Sequence, residues 1–245
     1  MRDTKANRVV CILPFYNEKG KIGKAAAGFS HIDEIDEVTV VNDGSDDGGS
    51  EEARQAGVTV LHHDTRRGVG AAIRTGIDYA MAHGYDIIVV AAGNGKDNPE
   101  ETPRLLAPIL EEGYDYVQGS RYMAGGNPGK MPFHRVICTK IYPYLIRFVL
   151  GFPATEGTNG FRAYRTSLFK DARINLWQDW LDGVELEYYL QVQVIRLGYR
   201  VTEVPVSKTY PRTRIKDYNY YTKADPWGIF RNLKPIFYLT LGIKR

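Results

Sequence analysis

Five short, mainly apolar runs, each followed by turn formers and separated from the next by a helix-forming stretch, constrain this chain more than any other feature. They cover residues 9–13, 37–41, 58–61, 87–90 and 116–119, and each has the length and residue types of a buried strand. Between them lie helix-forming stretches at 23–29, 50–56, 69–83 and 103–112, with Gly57, Gly84 and Gly113 placed to stop the last three. Strands alternating with helices in this way predict an α/β fold with a mostly parallel, doubly wound sheet and flanking helices. Ligands on such sheets bind beyond the carboxyl ends of the strands. The segments to search are therefore 14–18, 42–47 and 92–97, after the first, second and fourth strands.

The second half is less regular. Residues 125–132 form a Gly/Pro-rich loop, 185–197 an amphipathic helix closed by Gly198, and 201–206 a strand. Residues 133–150 are apolar but broken by Arg135, Lys140, Pro143 and Arg147, which suits an interfacial or core helix rather than a membrane span. Nothing reads as a linker, so 245 residues are expected to form one domain, with its body at 1–210 and a basic, aromatic segment at 211–245. That segment carries eight Lys/Arg against two Asp/Glu, a charge of +6. The rest holds 24 basic and 27 acidic residues, or −3. Rings interleaved with cations, as in Tyr218, Tyr220, Tyr221, Trp227, Phe230 and Arg231, fit an anionic membrane surface. Nucleic acid is not the expected partner, because no nucleic-acid module accompanies the tail. The polar start of the chain predicts no secretory signal. Cys11 and Cys138, far apart and each in apolar sequence, read as buried thiols in a reducing compartment. The expected location is the cytoplasm, peripherally at the membrane face.

Chemistry-bearing residue types cluster at the strand ends. Pro14, Tyr16, Asn17 and Glu18 offer groups that can meet a base and ribose, although a turn with a helix cap accounts for them equally. Asp43, within Asn42-Asp43-Gly44-Ser45, is an acceptor-only group suited to a uracil or guanine N–H, and equally an Asx-turn. The glycines of Arg67-Gly68-Val69-Gly70 let backbone approach a phosphate or a neighbouring loop. A dinucleotide fingerprint is excluded, because residue 73 is isoleucine and the first strand lacks the glycine turn. A nucleotidylyltransferase would need a Gly-rich, Arg/Lys-ended loop after the first strand, and 14–18 is not one.

Taken together these segments resemble the family 2 glycosyltransferases of the dolichol/polyprenyl-phosphate mannose synthase type. The resemblance runs through Pro14-Phe15-Tyr16-Asn17-Glu18, Asp43-Gly44-Ser45, the glycine segment 68–76, Gly119-Ser120-Arg121-Tyr122, Asn159-Gly160-Phe161-Arg162-Ala163-Tyr164 and Gly183-Val184-Glu185-Leu186-Glu187, in order, over about residues 8–210. It implies a GT-A fold, a nucleotide-sugar donor (UDP or GDP) and inverting transfer to a polyprenyl phosphate. It also implies that Pro14, Tyr16, Asn17, Glu18, Asp43, Arg67, Gly93 and Asn94 line the nucleotide, with Asp43 on the base. An acceptor phosphate would be held by arginines, which bind it bidentately. Arg121 and Arg162 lead, followed by Arg135 and Arg212. For a hydroxyl acceptor on a glycan or small molecule a carboxylate must take the proton. Asp182 and Glu185 are the candidates, with Glu156 third, and helix capping explains the same residues.

One motif is broken. In that family the fourth strand ends in Asp-x-Asp, the pair that meets the metal on the diphosphate, and here the matching positions are Ala92 and Asn94, with Lys96 two residues on. A diphosphate leaving group gathers negative charge that something positive must stabilise. Three readings follow. Lys96, with Arg121 and Arg67, replaces the metal, so that no cofactor is needed. Alternatively Mg2+ or Mn2+ is weakly held by donor phosphates and Asp97 or Asn94. Thirdly, the chain binds a nucleotide sugar without turnover.

Overall fold

The computed structural model describes residues 7–131, 133–210 and 226–244. Seven strands form one sheet in the order β3-β2-β1-β4-β6-β5-β7. They are β1 (Val9–Phe15), β2 (Glu37–Asn42), β3 (Thr59–His62), β4 (Ile87–Val90), β5 (Tyr116–Ser120), β6 (Arg162–Arg165) and β7 (Val201–Pro205). The helices are α1 (Ile22–Ser30), α2 (Gly49–Gln55), α3 (Val69–Ala82), α4 (Thr102–Glu112), α5 (Phe133–Leu150), α6 (Glu185–Arg196) and α7 (Pro226–Thr240). The mostly parallel α/β sheet is the expected one. Short strands β6 and β4, and β5 and β6, pair antiparallel, and all other neighbours pair parallel. Only β6 is therefore reversed, and six strands present their carboxyl ends at one edge.

Sequence alternation sets the layers. Successive strand side chains point to opposite faces. Val10 and Ile12 of β1, with Ile88 and Val90 of β4, enter a core shared with α3, α5, α6 and α7. Val9, Cys11, Leu13, Ile87 and Val89 enter the other core, under α1 and α4. With both faces covered, the central strands are continuously apolar. Burial pushes the Cys11 thiol well up, as an unreactive core group requires. The Cys138 side chain lies outside the described residues.

Part of the segment after residue 210 returns to the body. α7 packs on α6, buries Ile236 and Leu239 in the main core, and sets Tyr238 edge-on to Trp180 at 5.3 Å. Residues 211–225, which carry Arg212 and Tyr218, Tyr220 and Tyr221, lie outside the described residues. α5 has two characters: Tyr142 and Ile146 are buried, while Ile141, Tyr144 and Phe148 are exposed. No helix among the described residues is long and apolar enough to cross a membrane.

Candidate active site

The carboxyl edge of the sheet holds two adjoining clusters. The first lies at the ends of β1, β2 and β3. Asn17 has a left-handed backbone (φ 53°), and its N–H donates to Ser45 Oγ at 2.9 Å, tying the loop after β1 to the loop after β2. Glu18 pairs with Lys21 at 2.7 Å. The Arg66 guanidinium lies over the Tyr16 ring, 4.3 Å from its centroid. Asp43 is buried, and its carboxylate accepts from the N–H groups of Arg67 and Gly68, each at 2.8 Å, and from His63 Nδ1 at 2.9 Å. His63 Nε2 in turn meets Thr75 Oγ1 at 2.8 Å. Asp43 thus anchors the loop that carries Arg66 and Arg67, both exposed at its surface.

The glycines beside it are packed against a neighbouring loop. A Cβ on Gly68 would overlap the Asp182 carbonyl oxygen, and one on Gly70 would overlap those of Leu181 and Gly183. The Ala71 N–H also donates to Asp182 O at 3.1 Å. Residues 181–183 therefore lie directly on the first turn of α3. Gly93 answers the same need at the end of β4: a Cβ there would stand 2.8 Å from Ile22 and 2.9 Å from Phe15. Its role is packing against β1.

The second cluster is a cleft of about 100 Å³ lined by Asn94, Lys96, Arg121, Thr158, Asn159, Lys208 and Tyr210. It gathers the ends of β4, β5 and β7. Because β6 runs backwards, the residues just before it, Thr158 and Asn159, reach the same edge. Lys96 and Arg121, far apart in sequence, both line this cleft. The Lys96 ammonium is 5.5 Å from the centre of the Tyr210 ring. Arg121 is almost fully buried, donating to Glu156 at 2.7 Å and to Thr158 Oγ1 at 2.7 Å. Burial alone would push the Glu156 carboxyl up, but the Arg121 charge and the Thr158 hydrogen bonds outweigh it and hold the group below its usual value. Burial likewise opposes the Arg121 charge, and Glu156 reverses that, leaving the guanidinium firmly cationic.

Several expected roles do not survive the geometry. Arg162 is buried away from the cleft's lining: its terminal nitrogens meet Tyr116 OH at 3.0 Å, the carbonyls of Glu187 and Asn159 at 2.9 and 2.6 Å, and the Glu187 carboxylate at 3.2 Å. Glu156 accepts from Arg121, Gly157 N–H and Thr158 N–H and hydroxyl, so it is a counter-ion and not a waiting base. Asp182 is paired with Arg74. Glu185 is buried in the first turn of α6 and folds back over Gly183. The Arg135 side chain and Arg212 lie outside the described residues.

The residues after β4 do not form a ready-made site for a divalent metal. Ala92 offers no ligand. Asn94 Oδ1 accepts from the Lys96 N–H at 3.2 Å. Asp97 spends one oxygen on the Ala92 N–H at 2.9 Å and the other on Lys208 Nζ at 2.6 Å. Among the described residues no three His, Cys, Asp or Glu side chains group to hold a metal. Sequence reasoning missed Lys208, Tyr210, Asn159 and His63. The first two follow β7 and His63 follows β3, so the carboxyl-end rule applied to every strand would have found them.

Comparison with known proteins gives the family and the fold. The family model described as Glycosyl transferase family 2 matches residues 10–173. The polyprenol monophosphomannose synthase of Mycolicibacterium smegmatis is 32% identical over 82% of this chain and 77% of its own length. The undecaprenyl-phosphate mannosyltransferase of Micrococcus luteus is 31% identical, over 82% and 83%. Among solved structures, the glucosyl-3-phosphoglycerate synthase of Mycobacterium tuberculosis, crystallised with Mg2+ and UDP, matches with a TM-score of 0.66. That match is 20% identical and covers 98% of this chain and 81% of that one. This last likeness concerns the GT-A fold.

Proposed function

The chain belongs to glycosyltransferase family 2, and from that premise we propose that it moves a hexose from a UDP- or GDP-sugar to a polyprenyl phosphate, with inversion at the anomeric carbon. The observation that carries this reading is the cationic cleft of Lys96, Arg121 and Lys208 at the carboxyl edge, beside the Tyr16–Arg66 stack. The stack and the loops after β1 and β2 suit the nucleoside, and the cleft suits phosphates. Similarity to enzymes named for polyprenol and undecaprenyl-phosphate acceptors supports the acceptor class.

The chemistry balances without a general base. An acceptor phosphate oxygen forms the new bond to the anomeric carbon as the bond to the donor's β-phosphate oxygen breaks. The nucleoside diphosphate leaves with that electron pair, and no proton need move. Negative charge passes from acceptor to leaving group, so the protein's task is electrostatic: fixed cations around the leaving diphosphate. The engagement of Glu156 and Asp182 in ion pairs weighs against a hydroxyl acceptor, which would call for a carboxylate base.

Acid-labile lipid-linked sugar should form when the protein is given undecaprenyl phosphate and labelled GDP-mannose or UDP-glucose. No product with any donor, alongside intact nucleotide binding, would leave a non-catalytic binding protein as the better reading. In EDTA, Lys96→Ala should lower transfer about 100-fold, the effect of losing one transition-state charge contact. Full activity of that variant in EDTA would dismiss the lysine, and activity restored only by manganese would point to a held metal.

The lipid acceptor also requires access to a bilayer. Phe148 is 90% exposed and Tyr144 65% on α5, and Leu241 is 69% exposed just after α7, which packs against α5. Lys140 and Lys244 are exposed with them. Apolar side chains beside cations suit an anionic membrane surface. Phe148→Asp with Leu241→Asp should abolish co-sedimentation with phosphatidylglycerol vesicles while leaving transfer to a short, water-soluble prenyl phosphate intact. Undiminished co-sedimentation would place the membrane contact elsewhere.

A further inference from the structure

We infer that Lys208 is a diphosphate-binding residue, held at the end of β4 by Asp97 where a metal would otherwise sit. This rests on the donor being a nucleoside diphosphate sugar, as proposed above.

The chain leaving β7 crosses the cleft as a strap fixed on several sides. The Val206 N–H donates to Ser120 O at 2.9 Å, Ser207 N–H to Glu101 Oε2 at 2.7 Å, Lys208 N–H to Asn127 O at 2.9 Å and Thr209 N–H to Lys96 O at 2.9 Å. So tethered, the strap has little freedom to carry Lys208 away. The Lys208 side chain is only 10% exposed, unlike a solvated surface lysine. Its ammonium meets Asp97 at 2.6 Å and Asn159 Oδ1 at 3.1 Å, and it lines the same cleft as Lys96 and Arg121. An ammonium has three donors. The two contacts use two of them, and the third has cleft volume beside it.

Asp97 gives the arrangement its meaning. One oxygen holds Lys208 and the other takes the Ala92 N–H, so the carboxylate ties the cation to the backbone position where Asp-x-Asp would begin. Asp97 thus occupies itself with a lysine instead of a metal. A buried charge needs a partner while the site is empty, and Asp97 supplies it until a diphosphate brings stronger negative charge. A divalent ion entering this cleft would face the cations Lys96, Lys208 and Arg121, the last two already offset by Asp97 and Glu156. A preorganised ammonium needs no such entry, and it acts in a partly enclosed site where each charge counts for more.

The test is calorimetric titration of UDP, GDP, UMP and GMP in EDTA into wild type, Lys208→Met and Asp97→Asn, with the wild-type titrations repeated in excess manganese. Methionine keeps most of the aliphatic volume. Lys208→Met should weaken the preferred diphosphate tenfold or more and its monophosphate no more than about twofold, since one phosphate contact is at issue. Asp97→Asn, which removes the competing charge, should tighten the diphosphate about threefold. Equal losses for mono- and diphosphate would reduce Lys208 to a structural prop and overturn the inference, as would an unchanged diphosphate affinity. Should Lys208→Met fail to fold, the double variant with Asp97→Asn removes both charges, and the same diphosphate-specific loss is expected of it. Wild type that binds neither diphosphate, with or without manganese, would overturn the donor reading itself. Wild type that binds only with manganese would overturn the Lys208 assignment alone.

Discussion

Glu156→Ala is expected to destabilise the protein by about 3–5 kcal/mol, because it leaves the buried Arg121 guanidinium without its counter-ion. Arg121 is 3% and Glu156 0% exposed at the side chain, so water cannot take over the lost contacts. The change also frees the N–H groups of Gly157 and Thr158, which frame the loop before β6. Urea denaturation at pH 7 would measure it. The pH dependence has a definite sign. The Glu156 carboxyl is held below its ordinary value of 4.5, so its contribution is complete at neutral pH and fades as pH falls through the lowered value. The gap between wild type and variant should therefore narrow on acidification below about pH 4.5. Transfer should fall about 100-fold in the variant, the usual cost of a misplaced catalytic group. A variant as stable as wild type, with donor binding intact but transfer to a hydroxyl acceptor abolished, would restore Glu156 as a base.

Gly70→Ala carries the second large effect, and its sign opposes simple expectation. Gly70 lies in the first turn of α3, where helix propensity alone would favour alanine by about 1 kcal/mol. The added methyl, however, would drive into the carbonyl oxygens of Leu181 and Gly183, which are backbone atoms and cannot rotate aside. Overpacking of this kind costs about 1–3 kcal/mol or more. Displacing 181–183 also disturbs the Asp182–Arg74 pair and the start of α6. A drop in Tm of several degrees with impaired transfer is expected. An unchanged or raised Tm would mean that the 181–183 segment is more loosely seated than its contacts with α3 indicate.

These contrasts show where sequence reasoning reached and where it stopped. β1 to β5 were legible because runs such as Ile87-Ile88-Val89-Val90 are buried on both faces and need no tertiary knowledge to be read. β6 was not, since Arg162-Ala163-Tyr164-Arg165 has no apolar run. Its arginines are accommodated by Asn159 close by and by Tyr116, Glu187, Tyr114 and Ile109, brought from distant parts of the chain. For the same reason Arg162 looked like a phosphate ligand. Charge is visible in a sequence, but the partners that neutralise it are not. Lys96 lies in a segment that the edge rule singled out, whereas Arg121 was suggested by the family resemblance. Lys208 escaped because a lysine two residues past a strand reads as solvated loop until its burial is known.

The reversed strand β6 has a further consequence, for the order in which the chain can be completed. Strands β1 to β4 can assemble once residue 90 has been made, but β5 does not pair with β4. Among the described residues it pairs with β6 and β7. Until β6 arrives some seventy residues later, the apolar edge of β4 has no partner. During vectorial synthesis the half-built sheet therefore exposes an adhesive strand edge, the template on which misassembly starts. Insertion of Arg162–Arg165, a strand too polar to aggregate by itself, closes that edge and joins the two halves of the sheet in one step.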